Sequence, residues 1–110
     1  MAEEKPKYWV EVEGVRPPDG AELITIERAR QIEEEGWSAN HDDLQMRGQL
    51  SRAAACYIFA RNPEFIEKYW PFLEGWWKPS DDGIRNLIKA GALIAAEIDR
   101  LLRLKERKGG

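Results

Sequence analysis

The stretch "SDDGIRNLIKAGALIAAEIDRLLRLKERK", residues 80–108, decides the fold of this chain. Apolar or small residues recur in it every three or four positions, at Ile84, Leu87, Ile88, Gly91, Ile94, Ala95, Ile98, Leu101 and Leu102. This spacing predicts one long helix with an unbroken, heptad-like apolar stripe. Ser80 is the predicted N-cap, and Asp81 and Asp82 follow in the first turn, where the helix dipole favours anions. Basic residues complement the C-terminal end of the helix.

Another helix is predicted upstream, over about residues 21–35. Asp19 and Glu22 have the spacing of a capping box that opens it, and Gly36 is a natural left-handed stop. A narrow apolar stripe is formed by Ile26, Ala29 and Ile32. The polar residues on the opposite side are Glu27, Arg30, Gln31 and Glu34.

Two further helices are predicted between these two. The first runs from about Leu44 to Arg61, because one side of it carries Leu50, Ala53, Ala54, Tyr57 and Ile58. Asn62 and Pro63 form an N-cap and first-position pair that starts the second, which continues through Trp70. The stretch "PFLEGWWKP", residues 71–79, is too rich in Pro and Gly for regular structure, but its aromatic content predicts a packed loop.

The N-terminal residues favour a β-strand. Tyr8, Val10 and Val12 alternate with Trp and Glu, which is typical of a half-buried strand. No second strand is recognisable in the sequence, which favours pairing with another subunit. The predicted fold is therefore mainly α: a small three- to four-helix domain over residues 21–106, an N-terminal β-strand extension over residues 1–20 and a flexible tail over residues 107–110.

Length, charge and cysteine content restrict the function classes. The 110 residues suffice for one domain with one modest core. The net charge of −3, from 17 basic and 20 acidic residues, gives no positive excess for general nucleic-acid binding, so no nucleic-acid partner is expected. The single cysteine, Cys56, is expected to be buried in a reducing compartment. The N-terminus lacks a signal peptide's apolar region and no apolar run approaches about 18 residues, so a cytoplasmic protein without membrane contact is expected.

The stretch "EEEGWSANHDD", residues 33–43, raises the question of a metal or acid–base site, because it places the chain's only histidine, His41, beside Asp42 and Asp43. Adjacent residues on a turn seldom coordinate one ion together, and the chain has neither a second histidine nor a cysteine pair. No metal site, catalytic set or cofactor is therefore expected. The favoured interpretation is that Asp42 or Asp43 caps the next helix while His41 packs at the turn; general acid–base work by His41 is the alternative.

An alternative enzyme class is the helical nucleotide pyrophosphohydrolases. These enzymes gather carboxylates around magnesium through a Glu-x-x-Glu motif and a later Glu-x-x-Asp motif. Glu64 and Glu67 have the first spacing, but the residue three positions after Glu97 is Arg100. The second half of the carboxylate cage is therefore not visible.

The aromatic residues offer a surface for a flat ligand. The chain has five tryptophans, of which three are close together: Trp70, Trp76 and Trp77. One interpretation is that the tryptophans fill a thin core. The other is that one or two of them lie at the mouth of a pocket and stack on a nucleobase.

Cations near this aromatic group suit a phosphate. Arg85, Lys89 and Arg100 share one side of the last helix with the small Ala96, and Lys78 lies just before the positive end of that helix. The alternative for these cations is an ordinary solvated face.

The same helix also bears on the oligomeric state. Gly91, Ala92, Ala95 and Ala96 permit close approach of another helix, either from a second subunit or from within the chain. A homo-oligomer is expected.

Four blocks of the sequence, "ERARQIEEEGWSANHDD", "GQLSRAAACY", "WPF…WWKP" and "RNLIKAGALIAAEIDRLLR", span about residues 26–104. In this order they resemble a family of domains carried by tailed bacteriophages and prophages, which includes the C-terminal region of the Ea-type early accessory proteins of lambda-like phages. The landmarks that match are Glu27, Arg28, Arg30, Gln31, Glu35, Gly36, Trp37, His41, Asp42, Asp43, Gly48, Leu50, Ala54, Tyr57, Trp70, Pro71, Trp77, Lys78, Pro79, Arg85, Ala90, Glu97 and Arg100. Gln49 and Phe72 depart from the Glu and Trp that the family often has, which puts in doubt any role for a carboxylate at position 49.

The resemblance implies an intracellular, oligomeric phage accessory protein from a family without an established activity, of the kind that adjusts host physiology or blunts host defence. A weaker likeness to the ryanodine-receptor repeat domain rests on Glu35, Gly36 and Trp37 followed by a polar turn, and points to nucleotide-like ligands. The leading hypothesis is a non-catalytic protein that binds or sequesters a nucleotide-derived small molecule, with a counter-defence role. The alternatives are a protein–protein inhibitor or regulator of a host protein and a nucleotide pyrophosphohydrolase-like enzyme. The predicted ligand-binding residues are Arg28, Gln31, Glu35, Trp37, His41, Asp42, Trp77, Lys78, Arg85 and Lys89.

Overall fold

The computed structural model describes residues 16–109, and the strand predicted at residues 8–13 lies outside this range. Within it the chain is mainly helical, as predicted. Five α-helices and one 3-10 turn follow one another: α1 Gly20–Glu35, α2 Ala39–Asp43, α3 Gln49–Ile58, α4 Pro63–Tyr69, the turn Glu74–Trp76 and α5 Gly83–Arg107. The additional helix relative to the predicted three or four is the short α2.

The capping residues of α1 and α4 are those predicted from the sequence. The Asp19 carboxylate accepts from the backbone N–H of Glu22, and the Glu22 carboxylate accepts from the backbone N–H of Asp19, which is a complete capping box. Gly36 ends α1 in the left-handed region at φ 74°. Asn62 caps α4 through a hydrogen bond from the Phe65 backbone N–H, and Pro63 occupies the first turn.

The segment between α1 and α3 differs from the prediction. Ser38 caps α2 by accepting a hydrogen bond from the His41 backbone N–H, so residues that were expected to form a turn are helical. The prediction that Asp42 or Asp43 caps the following helix is wrong, because α3 begins after Gly48, whose φ of 76° interrupts the helical path. The helix predicted from Leu44 to Arg61 is accordingly shorter at both ends.

Helix α5, with 25 residues, is the axis on which α1, α2 and α3 pack. Its N-cap is Asp82, whose carboxylate accepts from the Ile84 backbone N–H, and not Ser80. The Ser80 hydroxyl instead accepts from the Asp82 backbone N–H and so braces the capping residue.

The core lies between α3 and α5 and is closed by aromatic side chains. Its buried residues are Trp37, Leu50, Ala53, Ala54, Tyr57, Ala90, Leu93 and Ala96, with Trp70, Phe72 and Trp77 packed against them. Alanines on both helices let the two backbones approach closely, so the rest of the volume is filled by rings from the connecting segments. Ala92 and Ala96 are therefore used within the chain, and the packed loop predicted for residues 71–79 is part of the core.

Most of the predicted apolar stripe of α5 lies on the exposed side of the helix, whereas its member Ile88 is buried. Between 44% and 60% of each of six residues is exposed: Ile84, Leu87, Ile94, Ile98, Leu101 and Leu102. The buried side instead carries Asn86, Ile88, Ala90, Ala92, Leu93, Ala96, Glu97 and Arg100. The interpretation of the α5 cations as a solvated face is wrong for Arg100, which is buried, and for Arg85 and Lys89, which are partly buried.

In helix α1, too, polar residues are buried while apolar residues of the predicted stripe are exposed. Glu27 and Gln31 are each only 2% exposed, whereas Ile26 and Ile32 face solvent. The reason is an ion-pair network that Glu27 makes with arginines of α1 and α5, described below. Gly91 of α5 lets α1 come close, since a Cβ at this position would lie 2.5 Å from the Ile24 Cδ1 atom.

Candidate functional site

The site is built around Glu27, a buried carboxylate at the contact of α1 with α5. Arg85 of α5 approaches its Oε1 atom to 2.7 Å through Nη2. Arg30, one turn along α1, pairs with both oxygens, Nε to Oε1 and Nη2 to Oε2, at 2.8 Å each. Because two guanidinium groups share it, this carboxylate is compensated despite its burial.

The electrostatics of the cluster follow from these pairs. Burial acts to raise the pKa of Glu27, but the hydrogen bonds from Arg30 and Arg85 outweigh it and hold that pKa below its ordinary value. The pKa of Arg30 is raised, chiefly by its hydrogen bonds to Glu27. The pKa of Lys89 is lowered, first by burial and then by the nearby charge of Arg85.

The lowered pKa of Glu27 predicts a specific pH dependence of stability. Its contribution is complete above the ordinary glutamate pKa of about 4.3 and is lost as the pH falls through the depressed folded-state value. Between about pH 5 and pH 3 we expect the free energy of unfolding to fall more steeply in the native chain than in a Glu27→Gln variant, by up to about 1.4 kcal/mol per pH unit. Urea unfolding followed by circular dichroism across this range measures the difference.

Other carboxylates do not obscure this comparison. The pKa of Asp43 is lowered by hydrogen bonds from Arg103 and Arg107, and that of Glu22 by a hydrogen bond from Arg16, in both proteins alike. Parallel stability curves for the native chain and the Glu27→Gln variant would contradict the assignment to Glu27.

A small polar pocket opens beside this network. Its volume is about 30 Å³, the space that one water molecule occupies in the liquid. It is lined by Glu27, Arg30, Gln31, Glu35, Trp37, Tyr57, Trp76, Lys78 and Lys89. We call this set the polar pocket; it brings together Gln31, Glu35, Trp37, Lys78 and Lys89 of the predicted ligand-binding residues.

Two buried polar atoms on lining residues of the polar pocket have no hydrogen-bond partner within residues 16–109. They are the Gln31 Oε1 acceptor and the Trp37 Nε1–H donor. The other end of the Gln31 amide is engaged, because Nε2 donates to the Glu27 Oε2 atom at 3.4 Å. Buried polar groups are normally satisfied, so an unpaired donor and an unpaired acceptor on residues of one water-sized pocket indicate a place for a water molecule or for a polar group of a ligand.

Lys89 and Lys78 form the cationic side of the polar pocket. The Lys89 ammonium donates to the Lys78 carbonyl oxygen at 2.7 Å and lies 5.5 Å from the centre of the Tyr57 ring. Lys78 Nζ is 3.9 Å from Glu35, and the Lys78 backbone N–H donates to the Tyr57 hydroxyl. Among the described residues, no carboxylate lies within ion-pair distance of Lys89, whose ammonium is therefore available to an anion.

An aromatic cleft adjoins the polar pocket. It has a volume of about 200 Å³ and is lined by Trp37, His41, Gln45, Phe72, Leu73 and Trp76. The Trp37 ring is nearly parallel to the His41 ring, at 4° and 5.9 Å, and to the Trp76 ring, at 13° and 6.3 Å. Since Trp37 and Trp76 line both spaces, the polar pocket and the aromatic cleft are two parts of one site.

Arg28 and Asp42 form an ion pair that contacts two residues of this site, Trp37 and His41. Their side chains pair at 2.7 Å, and Asp42 is fully buried. Arg28 also donates to the Trp37 carbonyl oxygen, and Asp42 lies 3.0 Å from His41 Nδ1. Arg28 and Asp42 line neither the polar pocket nor the aromatic cleft, so they position Trp37 and His41 instead of presenting their own groups to a ligand.

Two further predicted contact residues lie elsewhere. Trp77 packs on Tyr57 and Trp70, with ring centres 4.7 Å and 4.9 Å apart, and belongs to the core. Arg85 is engaged by Glu27.

Sequence reasoning missed several lining residues as site residues. Trp76, Glu27 and Arg30 line the polar pocket, but the sequence does not single them out as site residues. The sequence pattern predicts that Glu27 and Arg30 lie on the polar, solvent-facing side of α1, whereas Glu27 is buried against α5. Their signal in the sequence is the acid–base pair at i and i+3, which is ordinarily a surface feature. Gln45 and Leu73 lie in irregular segments and carry no such signal.

The described part of the chain contains neither a cluster of metal-ligand side chains nor a helix that could span a membrane. Within residues 16–109, no three side chains of the histidine, cysteine, aspartate and glutamate types lie close enough to hold an ion. The Glu97 carboxylate is paired with Arg100 at 2.5 Å. None of the helices in the described part of the chain is long and apolar enough to cross a membrane.

No protein-family model matches the chain, and no curated protein or solved structure shows significant similarity to it.

Proposed function

We propose that this chain is a non-catalytic binding protein that holds a nucleotide-derived small molecule between the aromatic cleft and the polar pocket. The observation that carries the proposal is the pair of unpaired buried atoms, Gln31 Oε1 and Trp37 Nε1–H, beside a cleft walled by parallel rings. A ligand that satisfies both atoms must bring a donor and an acceptor on one small group. A ribose hydroxyl or the edge of a nucleobase does so, whereas a fully ionised phosphate brings acceptors alone.

The dimensions of the site restrict the ligand further. Pockets for drug-sized molecules measure about 300–1,000 Å³, and the aromatic cleft at about 200 Å³ is smaller. It accommodates one flat ring system stacked against Trp76, which is 43% exposed, and it leaves no room for a second base. We therefore favour a mononucleotide, or one nucleoside end of a larger molecule, over a dinucleotide enclosed as a whole.

Lys89 and the largely exposed Lys78 supply a place for the phosphate on the solvent side of the polar pocket, whose own volume is that of one water molecule. Lys89 is held half-buried against Tyr57, with no carboxylate of residues 16–109 within ion-pair distance, and Lys78 is beside it. An anion at this position would offset the burial that lowers the pKa of Lys89. The biological role that we propose is that of a phage accessory protein that captures such a molecule, a defence signal of the host, without consuming it.

Thermal unfolding of the purified chain with a ligand panel tests the proposal. The panel contains nucleosides, nucleoside monophosphates, cyclic dinucleotides and inorganic phosphate. We expect monophosphates to stabilise most, nucleosides less and inorganic phosphate least; a ligand at a hundred times its Kd adds about 2.7 kcal/mol. The absence of any shift, or equal shifts from inorganic phosphate and a nucleoside monophosphate, would contradict the proposal.

Variants separate the two halves of the site. Trp76→Ala, at a partly exposed ring, should weaken nucleosides and monophosphates alike because it removes a stacking surface. Lys89→Gln should weaken monophosphates about 10- to 100-fold and nucleosides little, as expected for losing a charged hydrogen bond. Lys68→Gln is the matched control, since Lys68 lies 5.4 Å from the Tyr69 ring in a comparable cation–ring contact away from the site. Equal affinities of the Lys89→Gln and Lys68→Gln variants for a nucleoside monophosphate would contradict the assignment of Lys89 to the phosphate.

A further inference from the structure

The exposed side of α5 is an apolar surface that the other described residues, within 16–109, leave open. Ile84, Leu87, Ile94, Ile98, Leu101 and Leu102, here called the α5 stripe, are each about half exposed. At 1.5 Å per residue the stripe extends about 27 Å along the helix. A soluble monomer seldom exposes a continuous apolar patch above about 300–600 Å², and six half-exposed Ile and Leu side chains in line reach that range.

The spacing of the α5 stripe is that of a coiled-coil seam. Ile84, Gly91 and Ile98 repeat every seven residues, and Leu87, Ile94 and Leu101 repeat every seven residues with an offset of three. These are the a and d positions of successive heptads, the pattern that packs one helix against another along its whole length. At Gly91 the seam is completed from α1, because Ile24 fills the notch above the glycine.

We propose that the α5 stripe binds the α5 stripe of a second copy of this chain, with the two helices antiparallel. A two-fold axis at the middle of the stripe places Ile84 opposite Leu101, and Leu87 opposite Ile98. Each a position then meets a d position, and the same apolar surface serves both partners, as closed symmetric dimers require. The proposal is independent of the ligand proposed above.

The charges at the two ends of α5 select the antiparallel orientation and a copy of the same chain. Asp81 is exposed just before the N-terminal end, and at the C-terminal end the exposed Lys105, Arg107 and Lys108 outnumber the exposed Glu106. An antiparallel pair brings the acidic end of one helix to the basic end of the other, and it also opposes the two helix dipoles. A parallel pair would place like charges together at both ends.

The α5 stripe supplies the apolar centre of such a dimer interface and not its whole area. A standard specific interface buries about 800 Å² on each partner. The α5 stripe supplies several hundred Å² of apolar surface, with Ile24 of α1 beside Gly91 near its centre, and the charged ends of α5 form part of the surrounding rim.

The mass of the full 110-residue chain in solution tests the pairing. Light scattering after size exclusion, or sedimentation equilibrium, should give twice 12.7 kDa in the micromolar range. A Leu87→Asp/Ile98→Asp variant should give 12.7 kDa with unchanged helix content, because both side chains are half exposed within one chain. Its dimer dissociation constant should rise more than about 100-fold, since each change falls in two layers of a symmetric seam.

A Met46→Asp variant is the control, at a residue that is 74% exposed between α2 and α3, and it should remain dimeric. A native chain that is monomeric throughout the micromolar range overturns the proposal, as does an aspartate variant that stays dimeric. A chain that dimerises only after residues 1–15 are removed also overturns it, because the face would then be covered by the chain's own N-terminal segment.

Cross-linking tests the orientation. Mixed Ile84→Cys and Leu101→Cys chains should form a disulfide-linked heterodimer on oxidation, while the Ile84→Cys chain alone should not cross-link to itself. The native Cys56 is fully buried and does not compete. Efficient self-cross-linking of the Ile84→Cys chain would show a parallel pair and overturn the antiparallel assignment.

Discussion

Replacing Glu27 by alanine is expected to lower the free energy of unfolding by about 3–5 kcal/mol, the range for removing one partner of a buried ion pair. The substitution leaves the guanidinium groups of Arg30 and Arg85 facing each other at the α1–α5 contact, without the carboxylate that both contact within 2.8 Å. Repulsion between the two guanidinium groups then adds to the loss of the hydrogen bonds that Glu27 accepts from Arg30, Arg85 and Gln31. Urea unfolding at neutral pH, followed by circular dichroism, measures the change.

A second glutamate on α1 provides the matched control. Glu34 pairs with the same Arg30 at 3.3 Å, but its side chain is 67% exposed. Glu34→Ala should therefore cost less than about 1 kcal/mol, as exposed pairs do. Equal losses for Glu27→Ala and Glu34→Ala would show that Glu27 is not at the centre of a buried network.

The same carboxylate links stability to the candidate site. Glu27 accepts the Gln31 amide N–H, which leaves Gln31 Oε1 as the unpaired atom on the polar pocket. A change at Glu27 is therefore expected to disturb ligand binding as well as folding. A change at Lys89 or Trp76 tests binding with a smaller effect on the fold, which is why the ligand experiments use those two positions.

The elements of this fold that the sequence predicts are those with short-range causes. The Asp19–Glu22 capping box, the left-handed Gly36 and the Asn62–Pro63 start are each decided within four residues, and the structure has all three. The long α5 follows from its periodicity. By contrast, the cap at Asp82 competes with an equally suitable Ser80 two residues earlier, and only the three-dimensional path decides between them.

The buried faces of α1 and α5 could not be predicted in this way. Periodicity identifies an apolar side, and the ordinary expectation is that this side is buried. Here Glu27 of α1 forms an ion pair with Arg85 of α5, which is far away in the sequence. Because each charge compensates the other, the polar sides of both helices can be buried against each other. For the same reason, the sequence could not show which predicted cations line the site. Lys78 and Lys89 line the polar pocket, whereas Arg85 is held in the ion pair with Glu27.

Replacing Leu93, on the buried side of α5, by alanine is expected to lower the free energy of unfolding by about 2–5 kcal/mol. Leu93 is fully buried between α3 and α5, where alanines on both helices leave few side chains able to fill the cavity. Because backbones already in close contact cannot collapse further, most of the cavity should persist. Urea unfolding of the native chain and the variant at several protein concentrations measures the loss.

Leu87→Ala is the same chemical change on the same helix, at a residue that is 58% exposed. If the buried side of α5 is the one with Leu93, the cost of Leu93→Ala is independent of protein concentration, since the cavity lies within one chain. The cost of Leu87→Ala should instead be small at low concentration and grow as the chain dimerises, because stability then includes the association free energy. A large cost for Leu87→Ala at every concentration, with a small one for Leu93→Ala, would mean that the apolar stripe faces the core after all.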